Sequence, residues 1–115
     1  MSLKTQKLGS LFTKEISRII LEEVKNPKIK FVTITGCEIT NDLSFAKVSF
    51  LVLNREDKEE VEKALNSAAN FIEIALSKCI DIRKMPQISF HYDNSVEYGE
   101  NIERKIQELK EENKM

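Results

Sequence analysis

Hydrophobic residues in the first quarter of the chain recur at spacings of three and four, which is the period of one face of an α-helix. This apolar stripe predicts a helix over residues 3–25. Its members are Leu8, Leu11, Phe12, Ile16, Ile19, Ile20 and Val24. Pro27 marks the end of the helix, because proline donates no backbone hydrogen bond and pushes Asn26 out of the helical region.

Two segments with an alternating pattern follow, residues 28–39 and 45–53, and we expect both to be strands. In the first segment the apolar positions change parity after Gly36, which indicates a β-bulge. The apolar face of the second consists of Ala46, Val48, Phe50 and Val52. Residues 40–44 between them are turn-rich in composition, so the two strands are predicted to form an antiparallel hairpin.

Residues 57–80 return to helical spacing, and Asp57 with Glu60 is placed to form a variant capping box at the start. The apolar stripe of this helix consists of Val61, Leu65, Ala68, Ile72, Leu76 and Cys79. Phe71 and Ile74 fall off the stripe, just after three small residues and Asn70, which is a poor helix former. We therefore predict a bend or a slip of helical phase at this point.

Pro86 precedes a third strand, residues 87–93, whose alternate residues Ile88, Phe90 and Tyr92 face the core. The remaining residues, 95–115, have apolar positions at helical spacing and a highly charged end, which predicts a C-terminal helical extension that is partly frayed. The order α-β-β-α-kink-α-β predicts the α+β class, with a small mixed three-stranded sheet covered by helices on one face.

Charge is unevenly distributed along the 115 residues, although the formal net charge is only −1. Residues 1–30 carry seven basic and three acidic side chains, whereas residues 54–76 carry three basic and six acidic ones. A local basic face of this kind is what a polyanion senses. The chain shows no secretory signal or transmembrane run, and its two cysteines have no metal-ligand spacing, so we expect reduced thiols in the cytoplasm.

The first predicted helix carries a row of cations on one side. Four of them fall within roughly 40° of one another at about 100° per residue. The row consists of Lys7, Lys14, Arg18 and Lys25, and Lys28 and Lys30 continue it past the helix end. Such a row is able to follow a phosphate backbone with salt-dependent affinity. The alternative is a solvated surface with ordinary ion pairs, since Glu15 and Glu22 lie close by.

A second basic group consists of Lys78, Arg83 and Lys84, at the end of the long helix and in the loop before the third strand. Lys78 has an equally good explanation as a cation that stabilises the helix C-terminus. Arg83 and Lys84 lie beyond the helix and are better candidates for RNA contacts.

Four stretches of the chain resemble the ribosome-binding factor A family in order and spacing, and the resemblance extends from about residue 7 to residue 102. They read EVKNPKIKFVTIT, EITNDLSFAKVSF, ALNSAANFIE and MPQISFHYDNSVEYG. The resemblance implies a single type II KH-like domain over residues 1–94, followed by the extension. It also implies a non-enzymatic, monomeric assembly factor that binds ribosomal RNA of the immature small (30S) ribosomal subunit. Such factors support late maturation, including 16S ribosomal RNA processing, and growth in the cold.

The resemblance also gives the small residues of the long helix a role. KH domains clamp the nucleic-acid backbone with a GXXG loop between two helices, and the ribosome-binding factors replace that loop with a short kink, usually Ala-x-Gly. Ala68, Ala69 and Asn70 align with this kink, and asparagine tolerates the positive φ that glycine would adopt. Ser67 and Asn70 are candidate donors to phosphate oxygens, or alternatively they cap the two half-helices.

Residues suited to catalysis do not form a recognisable set in this sequence. His91, the only histidine, is predicted to point away from the core and lacks partners for a metal site or a catalytic triad. We expect no enzyme activity, no cofactor, no metal, no small-molecule substrate and no membrane partner. The rival hypothesis is a protein-interaction adaptor that uses the acidic residues 56–62 and the tail helix.

Overall fold

The computed structural model describes residues 3–29 and 31–95. Three helices and three strands are formed in the order α1, β1, β2, α2, α3, β3. Their bounds are Leu3–Glu22 (α1), Thr33–Ile39 (β1), Phe45–Leu51 (β2), Lys58–Ser67 (α2), Ala69–Cys79 (α3) and Gln87–Tyr92 (β3). Short 3₁₀ turns at Pro27–Ile29 and Arg55–Asp57 lead into β1 and α2. The expected element order is confirmed; the predicted tail helix beyond residue 95 lies outside the described residues.

The sheet has the strand order β1-β2-β3, with β1 antiparallel to β2 and β2 parallel to β3. It is therefore a mixed three-stranded sheet, as the sequence predicts, and the parallel pair is joined by the α2–α3 crossover. The pairing register shifts between Ile34 and Gly36, which confirms the predicted bulge. The bulge lets Ile34 and Ile39, which differ in parity, both turn toward the core.

One face of the sheet is buried under the helices and the other is open to solvent. Alternate residues of β2 and β3 are buried, and they join the inward side chains of the three helices in one apolar cluster. Phe12, Phe50 and Phe90 are fully buried at its centre, as their sequence parity predicts. The opposite face presents exposed side chains such as Phe45, Lys47 and His91. The predicted α+β class with helices on one face is confirmed.

The predicted extent of the first helix and the first strand was too long. α1 ends at Glu22, and the backbone N–H groups of Glu23 and Val24 both donate to the carbonyl of Ile19. The residues before β1 form a 3₁₀ turn, whose start is stabilised when the Asn26 side chain accepts the N–H of Lys28. Lys25 and Lys28 therefore lie in the loop after α1 and not on its surface.

The long helix is interrupted at Ala68, which is the first residue of the predicted kink. Ala68 has φ −89° and ψ −3°, and its N–H is shared between the carbonyls of Ala64 and Leu65. Asn70 lies inside α3, and among the described non-glycine residues only Phe31 and Leu43 have positive φ. The left-handed conformation suggested for Asn70 is therefore wrong.

Two further details of the long helix differ from expectation. Asp57 lies at the N-cap of α2 but makes no side-chain capping bond, so the proposed capping box is wrong. Phe71 and Ile74 remain 49% and 51% exposed, so the break does not turn them into the core. The break is a local tightening of the backbone and leaves the inward stripe nearly in phase from Leu65 to Ile72.

On both sides of the helical break at Ala68, side chains of α2 and α3 form hydrogen bonds with the backbone of β3 at the edge of the sheet. β3 is an outer strand, and its outward-pointing N–H groups are met by side chains of α2 and α3. Asn66 accepts the N–H of Phe90 at 2.8 Å and donates to the carbonyl of Phe90 at 3.1 Å. Glu73 accepts the N–H of Ile88 at 2.7 Å. These bonds occupy the edge that an unprotected strand would offer to another chain.

We expect Asn66→Ala to destabilise the fold by about 1–2 kcal/mol, because both backbone groups of Phe90 lose their side-chain partner in a half-buried position. Chemical denaturation followed by circular dichroism measures this loss. The matched control is Asn70→Ala, since Asn70 is exposed within α3 and alanine is the better helix former there. Equal stabilities for the two variants would show that the edge contact does not stabilise β3.

Asn70 also permits a direct test of the backbone at the break. At a helical position the order of stability is alanine, then asparagine, then glycine, spread over about 1 kcal/mol. At a left-handed position glycine would be the best of the three. We expect Asn70→Ala to raise the melting temperature and Asn70→Gly to lower it slightly. The reverse order in thermal unfolding would contradict the helical conformation of Asn70.

Candidate nucleic-acid interface

A surface groove lies where the start of α1 meets the β1–β2 turn and the loop after α3. Four exposed cations line it, namely Lys4, Lys7, Arg83 and Lys84. Its floor is apolar and is formed by Leu8, Leu11, Leu43 and Ile82. The carboxylates of Asp42 and Asp81 also line it, so cations outnumber anions by two. We call this set of residues the basic groove.

The loop after α3 holds its cations outward because its apolar residues are anchored. Ile80 is buried at the end of α3, Ile82 is half-buried and Pro86 is fully buried. The intervening residues Arg83 and Lys84 therefore face solvent. Lys84 is further positioned across the groove, where its Nζ donates to Ser44 Oγ at 3.3 Å.

The β1–β2 turn forms the opposite wall of the groove, and hydrogen bonds within the turn stabilise it. Asp42 accepts hydrogen bonds from the Thr40 hydroxyl at 2.8 Å and from the Ser44 N–H at 3.0 Å. These hydrogen bonds lower the pKa of Asp42, and the bond from the Thr40 hydroxyl has the largest effect. The lower pKa keeps the Asp42 carboxylate ionised. The adjacent Leu43 has φ 61° and directs its half-buried side chain to the groove floor. The turn is therefore a fixed wall and not a loose loop.

The cation row of α1 continues from the groove toward the end of α3. Lys7 and Lys14 are exposed and two helical turns apart, so they share one side of α1. Four residues further on, the Arg18 guanidinium reaches α3, where its Nη2 lies 3.1 Å from Cys79 Sγ. Lys78, exposed in the last turn of α3, is the neighbour of Cys79. The structure thus brings part of the first predicted basic group, namely Lys7, Lys14 and Arg18, close to the second along a seam between α1 and α3.

Arg18 is less available for binding phosphate than the sequence suggested, because it forms ion pairs with neighbouring glutamates. Its Nε lies 3.0 Å from Glu15, and its Nη1 lies 3.1 Å from Glu22 and 3.8 Å from Glu23. The hydrogen bonds that Arg18 donates to Glu15 and then to Glu22 raise the pKa of Arg18 above its ordinary value. A phosphate at this position has to compete with three carboxylates, which is the ion-pair alternative that the sequence left open.

Two other predicted contacts lie after α1, away from the groove. Lys25 is exposed, and Lys28 forms an ion pair with Glu60 of α2, with Nζ and Oε1 2.9 Å apart. The hydrogen bond to Glu60 raises the pKa of Lys28. Lys30 lies outside the described residues. Lys25 and Lys28 lie at the opposite end of α1 from Lys7.

The residues of the helical break do not join the basic groove. The Ser67 hydroxyl donates to the carbonyl of Lys63 at 3.0 Å within its own helix. Ser67 also lines a shallow hollow with Glu59 and Glu62, an acidic setting for a phosphate ligand. Asn70 is exposed at the start of α3, and Ala68 and Ala69 are half-buried beside the core. The Ser67 hydroxyl bond is internal to α2, and the N-cap of α3 makes no side-chain capping bond, so the capping alternative is not observed.

Sequence reasoning missed Lys4, which lines the basic groove beside Lys7. Its spacing of three from Lys7 was the available signal, because such residues are neighbours on a helix surface. In the part of the chain that the structure describes, no set of three histidine, cysteine or acidic side chains is arranged to hold a metal ion.

These features define the class of protein: a small α+β domain with three helices on one face of a mixed three-stranded sheet. A family profile described as Ribosome-binding factor A matches residues 4–106. The chain belongs to the ribosome-binding factor A family.

Relatives of the chain agree with this assignment. The ribosome-binding factor A of Staphylococcus carnosus is 42% identical over 108 residues, which cover 93% of this chain and 94% of that protein. The protein of the same description from Staphylococcus epidermidis is 41% identical over 114 residues, or 98% of both chains.

Solved structures share the fold. A putative ribosome binding factor A of Thermotoga maritima is 26% identical, with TM-score 0.72 over 83% of this chain and 92% of that one. The crystal structure of ribosome-binding factor A from Thermus thermophilus has TM-score 0.69 at 18% identity, over 76% of this chain and 94% of that one.

Proposed function

We propose that this protein is an assembly factor that binds ribosomal RNA of the immature small ribosomal subunit and supports its late maturation. The observation that carries the proposal is membership of the ribosome-binding factor A family over nearly the whole chain. A homology model of the Thermus thermophilus ribosome binding factor A, which shares this fold, has been fitted into the cryo-electron-microscopy map of a 30S complex with that factor. The finer roles, in 16S ribosomal RNA processing and adaptation to cold, belong to the same proposal.

The basic groove and the α1–α3 seam are the surface on which we place the RNA. Lys4, Lys7, Arg83 and Lys84 form a cluster able to neutralise phosphates, and Lys14 extends it along α1. Contacts of this kind fix position on RNA without reading its sequence. The groove is therefore suited to recognising a shape of folded RNA, and not a base sequence.

Binding without catalysis is sufficient for this function. A factor that binds one RNA conformer better than another shifts the population by the difference in its two affinities. We accordingly place the protein, as a monomer, in the cytoplasm with its ribosomal partner and assign it no chemical step. Among the described residues, no helix combines the length and apolar character needed to cross a bilayer.

Sedimentation of the purified protein with immature and mature small subunits, across a salt series, tests the proposal. We expect preferential binding to the immature particle that weakens as salt rises. Absence of binding to both particles, with the protein folded by circular dichroism, would contradict it. Binding that persists unchanged at high salt would instead favour the adaptor hypothesis, in which the acidic residues 56–62 contact a protein.

A further inference from the structure

Phe31 is an exposed aromatic residue in a strained backbone conformation. Its φ is 62° and its side chain is 73% exposed. Positive φ is uncommon for any residue with a bulky side chain, and such strain is found where function requires a particular orientation. The hydrophobic core gains little from Phe31, because most of the ring lies in solvent. Packing in the core therefore does not explain the strained conformation of Phe31, and a role at the protein surface does.

The ring of Phe31 stands at one side of an apolar groove at the end of α1. Leu21, which is 84% exposed, lies on the same groove, and half-buried Val24 and Val32 complete its apolar surface. Pro27 in the 3₁₀ turn also lines it, between the end of α1 and the start of β1. An open surface with an aromatic edge of this kind accepts a flat apolar group.

The positive charge beside this groove indicates that a flat ligand bound there is also anionic. Among the described residues that line it, Lys25 is the only charged one and none carries a carboxylate. The segment from residue 25 to residue 31 reads KNPKIKF, with three lysines and no acidic residue. An apolar surface with a lysine beside it matches a nucleotide, whose base stacks on an aromatic ring while its phosphate contacts the ammonium group. A base inside a duplex is already stacked, so an unpaired nucleotide fits best.

We propose that Phe31, Leu21 and Lys25 form a subsite for one unpaired nucleotide of RNA. The base stacks on the Phe31 ring above the apolar groove, and its phosphate lies at Lys25. This inference rests on the proposed function and adds a second contact to it. Lys7 of the basic groove and Leu21 of the subsite are fourteen residues apart on α1, so the two sites lie roughly 20 Å apart along the helix.

The chain contains no tryptophan, so one introduced indole reports on the subsite alone. Phe31→Trp places an indole on the proposed stacking surface and keeps the same backbone demand. Leu53→Trp is the matched control, because Leu53 is also 73% exposed and does not line the groove. The probes are a short single-stranded RNA of mixed sequence, the same RNA paired with its complement, and immature small subunits.

We expect the single strand and the subunits to quench the fluorescence of the Phe31→Trp variant, and the duplex to quench it much less. The Leu53→Trp variant should change little with any probe. Equal quenching of the two variants, or none with the single strand, overturns the subsite. A response of the Phe31→Trp variant to subunits but not to the single strand would assign the groove to a ribosomal protein and overturn it as well.

A second variant separates stacking from backbone strain. Phe31→Gly removes the ring and relaxes the positive φ, so the fold should be retained. We expect its affinity for the single strand to fall by about 5- to 150-fold, the loss that accompanies one stacked base. Unchanged affinity overturns the subsite. Sedimentation of the unmodified protein with immature subunits is an independent readout, so failure of the subsite and failure of the proposed function are distinguishable.

Discussion

Gly9→Ala is expected to destabilise the protein by roughly 1–3 kcal/mol, although alanine is the better helix former. Gly9 is buried in α1, where the helix crosses β1. A Cβ at this position would lie 2.5 Å from the carbonyl oxygen of Cys37. The obstacle is backbone, which cannot rotate away as a flexible side chain would. Relief requires α1 to move off the sheet, where Phe12 and Ile16 are fully buried.

Thermal unfolding followed by circular dichroism measures this effect, with about 4–8 °C expected for each kcal/mol in a domain of this size. Gly36→Ala is the matched control. Gly36 lies at the bulge of β1 without positive φ, and a Cβ there would meet nothing within 4 Å. We expect the control to melt at or slightly above the temperature of the unmodified protein. Equal melting temperatures for both variants would contradict the close approach of α1 to Cys37.

The arrangement of the sheet was predictable because its signals are local. The change of parity after Gly36 places the bulge, and alternation in residues 45–51 and 87–92 identifies the inward faces. The start of β1 was not predictable in the same way. Residues 28–32 alternate like a strand, but the Asn26 side chain and Pro27 stabilise a 3₁₀ turn there. Local hydrogen bonding overrides the hydrophobic period at that point.

The position of the helical break was predictable, because the observed break at Ala68 lies within the predicted kink, but its backbone conformation was not. Small residues and Asn70 suggested a left-handed kink, whereas the structure tightens the backbone at Ala68 and keeps Asn70 helical. Asn66, which no sequence signal distinguished, binds both backbone groups of Phe90 on an outer strand. That pairing depends on a residue 24 positions away, so local propensity carries no information about it.

The candidate interface was predictable in part. Helical spacing identifies Lys7 and Lys14 as neighbours, and α1 carries them as expected. Lys7 and Arg83 line one groove because the loop after α3 packs beside α1. The sequence alone does not predict that packing. Charge counting also could not show that Arg18 is enclosed by three carboxylates. Tertiary packing thus moves the centre of the interface from Arg18 to the basic groove.

Reversing two charges in the basic groove is expected to produce the largest loss of ribosome binding. Lys7→Glu with Arg83→Glu replaces two cations that line the basic groove by anions, which removes phosphate contacts and adds repulsion. We expect affinity for immature small subunits to fall by about tenfold per site. The slope of log affinity against log salt should fall by roughly one for each lost contact. Sedimentation at several salt concentrations measures both quantities.

The matched control for this double variant is Lys47→Glu with Lys63→Glu, which changes the net charge by the same amount. Lys47 is exposed on the open face of the sheet, and Lys63 is exposed on α2 beside Glu59 and Glu62. We expect the control to retain most of its affinity and its salt slope. An equal loss in both double variants would show that net charge, and not the basic groove, governs binding. Retained affinity in the groove variant would remove the groove from the interface, because repulsion there is unavoidable if RNA lies between α1 and the loop after α3.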